Sequence, residues 1–231
     1  MATFVLVHGS TQNSRCWEQM APLLRSRGHD VVTPELRKRA PEWGLDEYAA
    51  RIAESFSASD AVVVGHSFAG ALLPLVPRKR SCRALVFLAA AIPKPGKSLR
   101  DQVSEDGTMF SKGWLAAAPR WLDQSQYAGL AEEFLFHDCD PDTRAWAIGT
   151  IDPLDTSRLA VQPLPIGPQP AARVWSIVAT EDRTLVPDWS RRMSRNVLGV
   201  EPFEIRAGHC PHVSQPAAVA EILDRVASEP D

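Results

Sequence analysis

A serine stands at the centre of the most informative motif in the chain, Gly65-His-Ser-Phe-Ala-Gly70. The motif directly follows an apolar, β-branched run and precedes the helix-compatible residues 71–73. A sharp turn from a strand into a helix needs small neighbours, because its central residue is held in a strained conformation that projects the side chain from the sheet edge. Ser67 is therefore a candidate nucleophile. A helix behind it supplies free N–H groups and the positive end of its dipole where an oxyanion would form.

The motif departs from the usual G-x-S-x-G pentapeptide at one position. Its last place is Ala69, and the second glycine, Gly70, comes one residue later. Alanine is larger than glycine by one methyl group, and this extra bulk limits how tight the turn can be.

A serine hydroxyl is inert near neutral pH unless a base accepts its proton, so the hypothesis requires a histidine and a carboxylate at other strand ends. Glu181 and Asp182 follow the apolar run 174–178, and we prefer Asp182 as the acid. The alternative position for this acid, residues 89–93 after another apolar run, contains no carboxylate.

Two histidines follow the apolar run 203–205. His209 stands directly after Gly208, where an imidazole at a strand end can face Ser67, and we take it as the base. His212 is the rival base, although packing or a hydrogen bond is the more ordinary role at its position. The pair does not predict a metal site, because it lacks a third ligand nearby and H-x-x-H is not the spacing of zinc peptidases.

An oxyanion needs a second N–H donor besides the amide of Phe68, the residue after the candidate nucleophile. The loop after the first apolar run is small and polar, and Ser10 is our choice for that amide. Thr11 is close behind, since its hydroxyl can also reach a substrate. His8 and His66 flank these turns and are expected to fix loops by hydrogen bonds.

Six short apolar runs must position these side chains, with helix-like stretches between them. Alternation of this kind predicts an α/β fold, a mainly parallel sheet of about six strands with helices on both faces. Helical spacing of apolar residues predicts helices over 17–27, 45–55 and 216–227. The predicted strands cover residues 4–7, 31–33, 61–64, 84–88, 174–178 and 203–205.

The strand rhythm stops between Pro93 and Pro170. Since an unstructured loop of that length is improbable, we expect an inserted helical cap, residues 93–170, between core segments 1–92 and 171–231. Helices are predicted over 124–136 and 141–150, the second with Asp140 as its N-cap. Residues 161–170 carry four prolines and are expected to be the extended return into the sheet.

The cap is rich in aromatic residues, and some of them are expected to line an apolar substrate pocket. Plain packing of the cap helices against the core explains any one of them at least as well. The candidate substrate-binding residues are Thr11, Trp114, Trp121, Phe134 and Trp146.

The amino-acid composition limits the kinds of molecule that this protein is expected to bind. The 231 residues are 45% hydrophobic and 23% charged, enough for one well-buried core. A formal net charge of −3 leaves no strong field for a nucleic acid. The longest apolar run, residues 84–92, is about half the roughly 20 residues that a membrane helix needs. A small-molecule substrate is therefore expected, with neither nucleic acid nor membrane as partner.

Cysteine spacing and the first residues bear on the compartment. The four cysteines stand far apart without a C-x-x-C pair, which predicts free thiols rather than a zinc site or disulfides. Residues 1–8 look like a strand from the third residue and not like a secretory signal, so a cytoplasmic location is expected. The sequence does not determine the oligomeric state, and a homodimer is compatible with it.

With Ser67, Asp182 and His209 in that order, the sequence resembles the α/β-hydrolase superfamily, in particular its small members related to plant methyl esterases and hydroxynitrile lyases. The resemblance rests on residues 4–9, 65–70 and 85–90, on Thr180-Glu-Asp182 with Pro187, and on Gly208-His209 with Pro216. It covers nearly the whole chain except the cap.

The resemblance implies a sheet without the superfamily's first two strands, a helical cap over the site, and acyl-ester chemistry without a cofactor. Hydroxynitrile lyases of the group carry a lysine beside the catalytic histidine, where Cys210 stands here, so cyanohydrin cleavage is disfavoured. The expected activity is hydrolysis of a small apolar carboxylic ester or lactone by a serine esterase. Two alternatives stay open: a cofactor-independent lyase or cyclase acting on a natural-product intermediate, and a ligand receptor with slow turnover.

Overall fold

Six strands form one parallel sheet in the computed structural model, which describes residues 1–36, 42–165 and 172–229. The strand order is β2-β1-β3-β4-β5-β6, and every neighbouring pair is parallel. This confirms the predicted fold class, and each predicted strand is present with bounds shifted by two residues at most. The strands are β1 (Thr3–Val7), β2 (Asp30–Val32), β3 (Val62–His66), β4 (Ala84–Leu88), β5 (Arg173–Ala179) and β6 (Phe203–Ile205).

Alternating side chains of the strands supply two hydrophobic cores, one on each face of the sheet. Val5 and Val63 point to one face, whereas Leu6 and Val64 point to the other. Since both faces are covered by helices, the strands are apolar at nearly every position instead of alternating with polar residues. The sheet is therefore a rigid, water-free support for the loops at its carboxyl edge.

Ten α-helices surround the sheet in the described part of the chain. The first and last pack on one face, and the second and eighth on the other. Their bounds are α1 (Ala21–Ser26), α2 (Leu45–Glu54), α3 (Leu99–Glu105), α4 (Lys112–Ala117), α5 (Tyr127–Phe134), α6 (Pro141–Ile148), α7 (Ser157–Ala160), α8 (Pro187–Met193), α9 (Pro211–Ser214) and α10 (Pro216–Ser228). Short 3₁₀ segments cover Ser14–Trp17, Ser67–Ala71, Leu73–Arg78, Ala118–Leu122 and Gln124–Gln126, and a π-turn covers Ser194–Leu198.

Two predicted helices begin later than the apolar spacing indicated. The helix expected over 17–27 is a 3₁₀ turn followed by α1, which has Pro22 in its first turn, where the missing N–H costs no helical hydrogen bond. The helix expected over 124–136 likewise opens as a 3₁₀ turn before α5.

The prediction of an ordinary helix behind Ser67 is wrong in one respect, because the segments that follow Ser67 are 3₁₀ rather than α-helical. Pro74 and Pro77 lie just downstream, and proline lacks the N–H that an α-helix would need there. Stabilisation of an oxyanion must therefore come from individual N–H groups rather than from the dipole of a long helix.

Helices α3 to α7 all lie between β4 and β5 in the chain. The Asp140 carboxylate accepts the N–H groups of Asp142 and Thr143, both at 3.0 Å, which confirms it as the N-cap of α6. The division of the chain into a core and a cap stays a prediction, and part of the expected extended return, residues 166–170, lies outside the described residues. Within the described ranges, no helix combines the length and apolar character needed to cross a bilayer.

The strand order reverses between β1 and β3, because the chain first adds β2 on one side of β1 and then β3 on the other. In open α/β sheets, ligands bind in the crevice at such a switch point, outside the carboxyl ends of the strands. Ser10 follows β1 and Ser67 follows β3, so both stand at this crevice.

Close backbone packing shapes the turn that we call the nucleophile turn, residues 65–70. Ser67 has a φ of 53°, which is rare for a residue with a side chain. A Cβ atom on Gly70 would lie 2.2 Å from the carbonyl oxygen of Ala91, so only glycine fits there. Ala69 is fully buried without a positive φ, so the alanine in the pentapeptide's last place is accommodated and Gly70 makes the close approach instead.

A cluster of buried imidazoles lies beneath this turn. His66 and His212 are both buried, with ring centroids 4.4 Å apart, and the His212 ring also packs at a tilt against Trp17, with centroids 4.3 Å apart. Neither ring nitrogen of His212 has a hydrogen-bond partner in the described part of the chain. Burial lowers the pKa of His212 to about 3, so the ring is neutral near pH 7.

We expect Gly70→Ala to destabilise the fold by about 3 kcal/mol, because the added methyl group collides with a backbone carbonyl that cannot move aside cheaply. Chemical denaturation measures the free energy of unfolding. Gly129→Ala is the matched control: Gly129 lies in α5 with open space around it, and this substitution should stabilise the protein by about 0.5–1 kcal/mol. Equal stabilities of the two variants would contradict the packing described for the turn.

His212 should make the protein acid-sensitive. An unfolded histidine binds a proton below about pH 6.5, whereas the buried ring does not until about pH 3, so the unfolded state gains protons first as the pH falls. Between pH 8 and pH 5, stability should therefore drop by about 2 kcal/mol more in the natural protein than in His212→Phe. Parallel pH profiles of the two proteins, or an NMR titration of His212 near pH 6.5, would overturn this.

Candidate active site

Ser67, His209 and Asp182 form one chain of hydrogen bonds. His209 Nδ1 lies 2.8 Å from Asp182 Oδ2, and His209 Nε2 lies 2.9 Å from Ser67 Oγ. Since a carboxylate can only accept, Nδ1 carries the proton and Nε2 is left to accept the serine hydroxyl. This is the tautomer in which an imidazole can remove a proton from serine.

Asp182 is fixed from behind by backbone donors. Its Oδ1 atom accepts the N–H groups of Thr184 at 2.7 Å and Leu185 at 3.0 Å, which leaves Oδ2 for the imidazole. The side chain is only 3% exposed. The neighbouring carboxylate, Glu181, turns outward and pairs with Arg206 at 2.7 Å, so it is not available to His209.

The loop that carries the imidazole, residues 206–210, is held from three directions, and we call it the His209 loop. The N–H of Glu181 donates to the carbonyl of Ala207 at 3.0 Å, which continues the sheet contact between β5 and β6. His66 Nε2 donates to the carbonyl of His209 at 2.8 Å. Asp138, from the segment between α5 and α6, accepts the N–H of Gly208 at 2.6 Å.

No feature of the sequence indicated a role for Asp138 at the site. This residue meets Gly208 across 70 residues of chain, and its carboxylate lies so close that a Cβ atom on Gly208 would come within 2.6 Å of Asp138 Oδ1. Any larger residue before His209 would therefore push the Asp138 carboxylate away from its present position.

The two residues expected to donate to the oxyanion, Ser10 and Phe68, line the same cavity as Ser67. Phe68 is the second residue of the 3₁₀ segment that Ser67 opens, so its N–H lacks an intrahelical acceptor. Ser10 is held in place by its carbonyl, which accepts the N–H of Leu154 at 2.7 Å. Gly9 permits the approach, since a Cβ atom there would lie 2.8 Å from Ser67 Cβ.

The two histidines predicted to fix loops do so. His8 Nδ1 contacts the carbonyl of Gly9 at 2.8 Å, and its Nε2 lies 3.0 Å from the Glu35 carboxylate. The bond from His66 to His209 ties the nucleophile turn to the His209 loop. Burial, with help from the neighbouring imidazoles, keeps the pKa of His66 well below its ordinary value, so this ring stays neutral.

A cavity of about 530 Å³ opens at the serine, within the range typical of small-molecule sites. Ser67, His209, Ser10, Thr11 and Phe68 lie on its wall. Trp114 from α4 also lines it, and most of the remaining wall is apolar.

Three of the aromatic residues expected to bind substrate lie elsewhere. Trp121, Phe134 and Trp146 are not among the described residues of the cavity wall but pack in a third apolar cluster around Leu130 and Phe136. Trp121 and Phe134 both lie against Trp114, and Trp146 donates to Glu18 at 3.4 Å. The direction in which each short helix points its side chains decides which aromatic residues line the cavity. The aromatic composition of the segment does not reveal that direction.

One cluster of potential metal ligands occurs in the described part of the chain. One donor atom each of His66, Cys210 and His212 lies within 4.8 Å of the other two, and all three residues are buried. Ligands of a tetrahedral zinc ion stand about 3.5 Å apart. The Cys210 thiol already points to Gln12 Oε1 at 3.5 Å, and burial raises its pKa well above the ordinary value, which opposes a thiolate. The cluster is therefore better described as core packing, and all four cysteines are free and buried.

Comparison with known proteins places this geometry in a family. Residues 4–222 match the model of the alpha/beta hydrolase family. A putative chloroplastic methylesterase 14 of Arabidopsis thaliana is 24% identical over 261 aligned positions, which cover 98% of this chain and 72% of the relative. A carbendazim hydrolyzing esterase of Nocardioides is 34% identical over 111 positions, 43% of this chain and 46% of the relative.

The fold has solved counterparts as well. The crystal structure of a pyrethroid hydrolase from Sphingobium faniae superposes with a TM-score of 0.78 at 20% identity, covering 99% of this chain and 98% of that one. The relatives carry the names of esterases and hydrolases, which confirms the expectation of an enzyme, a carboxylic ester hydrolase. By its match over nearly its whole length, the chain belongs to the alpha/beta hydrolase family.

Proposed function

We propose that this protein is a serine esterase that cleaves a small, largely apolar carboxylic ester or lactone through an acyl-enzyme. The observation that carries the proposal is the hydrogen-bonded chain from Asp182 through His209 to Ser67, which ends at an apolar cavity. Hydrolases and esterases among the relatives support the reaction class, and the substrate itself is our inference.

In this mechanism His209 Nε2 takes the Ser67 proton as Oγ attacks the ester carbonyl, and Asp182 stabilises the resulting imidazolium. The N–H groups of Ser10 and Phe68 stabilise the oxyanion of the tetrahedral intermediate. His209 then returns the proton to the departing alcohol, which leaves the acyl group on Ser67. A water molecule, deprotonated by the same imidazole, releases the acid.

Neutral imidazoles around the site support the proposal. The His66 ring packs against His209 with centroids 5.0 Å apart, and the His212 ring packs against His66. Both remain uncharged, so they do not repel the imidazolium that forms during the reaction. Thr11 and Trp114, both on the cavity wall, are proposed to contact the substrate. No cofactor takes part in this scheme, and a cytoplasmic location and a small-molecule substrate stay predictions.

The two alternatives from the sequence lead to different experiments. A lyase or cyclase using the same site would convert substrate without consuming water, which analysis of the products detects. A receptor with slow turnover would fail on short p-nitrophenyl esters while a ligand raised its melting temperature.

Removal of the nucleophile is the first test of the proposal. Ser67→Ala should lower kcat on p-nitrophenyl acetate by about 10⁴-fold while the melting temperature stays close to that of the natural protein, because the hydroxyl is needed only for chemistry. Mass spectrometry after fluorophosphonate treatment should find the label on Ser67 and nowhere in Ser67→Ala. Full activity of the variant, or a label on another residue, would refute the assignment.

Asp138 should act as a positioning residue for His209. Asp138→Ala removes the acceptor of the Gly208 N–H, so we expect kcat to fall about tenfold with little change in KM, since the imidazole moves while the cavity does not. Asp138→Asn keeps an oxygen acceptor and should recover part of the loss.

Asp140→Ala is the control for this experiment. It removes a helix cap two residues away, at a cost of about 1 kcal/mol in stability, but touches no part of the His209 loop. Equal kcat values for Asp138→Ala and Asp140→Ala would show that Asp138 contributes only to stability.

A further inference from the structure

The cavity that ends at Ser67 has a single cation on its described wall. Among the described lining residues, Arg100 is the one arginine or lysine, and neither Asp nor Glu lies beside it on that wall. The rest is apolar or carries hydroxyl groups. An anion that entered would therefore meet one fixed positive charge and no carboxylate on this wall.

Arg100 forms no ion pair within the described part of the chain, unlike the charges around it. The adjacent Asp101 is held by Ser98, whose N–H and hydroxyl bind the same carboxylate oxygen at 3.0 and 2.7 Å. Lys97 pairs with Glu105 at 2.5 Å. The neighbouring acids are thus engaged, and the Arg100 guanidinium is free to bind something else.

Helix energetics do not explain an arginine at this place. Arg100 lies in the first turn of α3, and cations are favoured in the last turn of a helix, not the first. Its exposed position on the cavity wall is therefore not accounted for by stability of α3.

Helix α3 presents two stripes to the cavity. Leu99 and Val103 stand one helical turn apart, and so do Arg100 and Ser104, and all four line the wall. Helix α3 thus places an apolar surface, formed by Leu99 and Val103, next to the Arg100 cation and the Ser104 hydroxyl on the same wall. This combination suits a molecule that is apolar along most of its length and carries one anionic group.

Resting on the proposed esterase function, we propose that the natural substrate is an apolar ester bearing a carboxylate or similar anionic group, which Arg100 binds. Guanidinium and carboxylate match in geometry and can form two parallel hydrogen bonds. The attraction is stronger beside an apolar cavity than in open water, because fewer solvent dipoles screen it. Arg100 would select the substrate and take no part in the chemical step.

The experiment compares two esters with the same eight-carbon acyl chain, monomethyl suberate and methyl octanoate, which differ by a terminal carboxylate. Their kcat/KM ratio, anionic over neutral, is measured for the natural protein, Arg100→Gln, Arg100→Lys and Arg120→Gln. Arg120 is an exposed arginine that binds Gln126 at 3.1 Å and is not on the described cavity wall, so its variant is the matched control.

We expect Arg100→Gln to lower the ratio by about fivefold or more through KM, with kcat on methyl octanoate unchanged. Arg100→Lys should keep part of the preference, and Arg120→Gln all of it. Added salt should reduce the preference in the natural protein because it screens the attraction. An equal ratio in the natural protein and Arg100→Gln would overturn the inference while leaving the esterase function intact.

Failure of the esterase function would look different, since neither ester would be cleaved by the natural protein. Calorimetric titration with the suberate monoester then decides the inference by itself. Binding that weakens about fivefold or more in Arg100→Gln but not in Arg120→Gln would support it, and equal or absent binding would overturn it.

Discussion

The contact of three strand-end segments around Ser67 is the constraint on which the rest of the site depends. Ser67 sits at a φ of 53° with Gly9 from the first strand end against its Cβ atom and with its carbonyl bound by the N–H of Ala91 at 3.0 Å. A residue in such a conformation persists only when its surroundings determine it completely. The two flanking parallel strands supply that confinement, and Gly70 provides the space for it.

The imidazole depends on a second set of contacts that reach beyond the sheet. Strand pairing alone brings the His209 loop to the correct edge, but the final position of the ring is set by His66 from the nucleophile turn and Asp138 from the segment between α5 and α6. The helices inserted after β4 therefore do more than cover a cavity. One of their connecting segments is bonded directly to the backbone beside the proposed base.

The electrostatics of the site follow from burial. Imidazoles beneath the serine stay neutral because there is no water to solvate their charge, and the carboxylate of Asp182 is stabilised by two backbone N–H groups. Among the described residues of the cavity wall, Arg100 is the one arginine or lysine, and no Asp or Glu lies there. The proposed preference for an anionic ester is a consequence of that distribution.

The sequence by itself determined the sheet, the order of the chemistry-bearing residues and several helix ends. The run 84–88 predicted β4 at its observed bounds, because a strand that is buried on both faces must be apolar throughout. The run 203–205 predicted the bounds of β6 as well, although this edge strand exposes Glu204. Asp140 before a proline predicted the start of α6, since capping is a local interaction. Parallel strands bring their carboxyl ends to one edge, so Ser67, Asp182 and His209 could be placed together from strand order alone.

Only the tertiary structure decided which side chains line the cavity and which hold the base. Trp114 faces the cavity while Trp121, Phe134 and Trp146 pack away from it, and Asp138 meets Gly208 from a distant part of the chain. These outcomes depend on the directions in which short helices point their residues. Such directions are fixed by packing between segments far apart in sequence, and no local pattern records them.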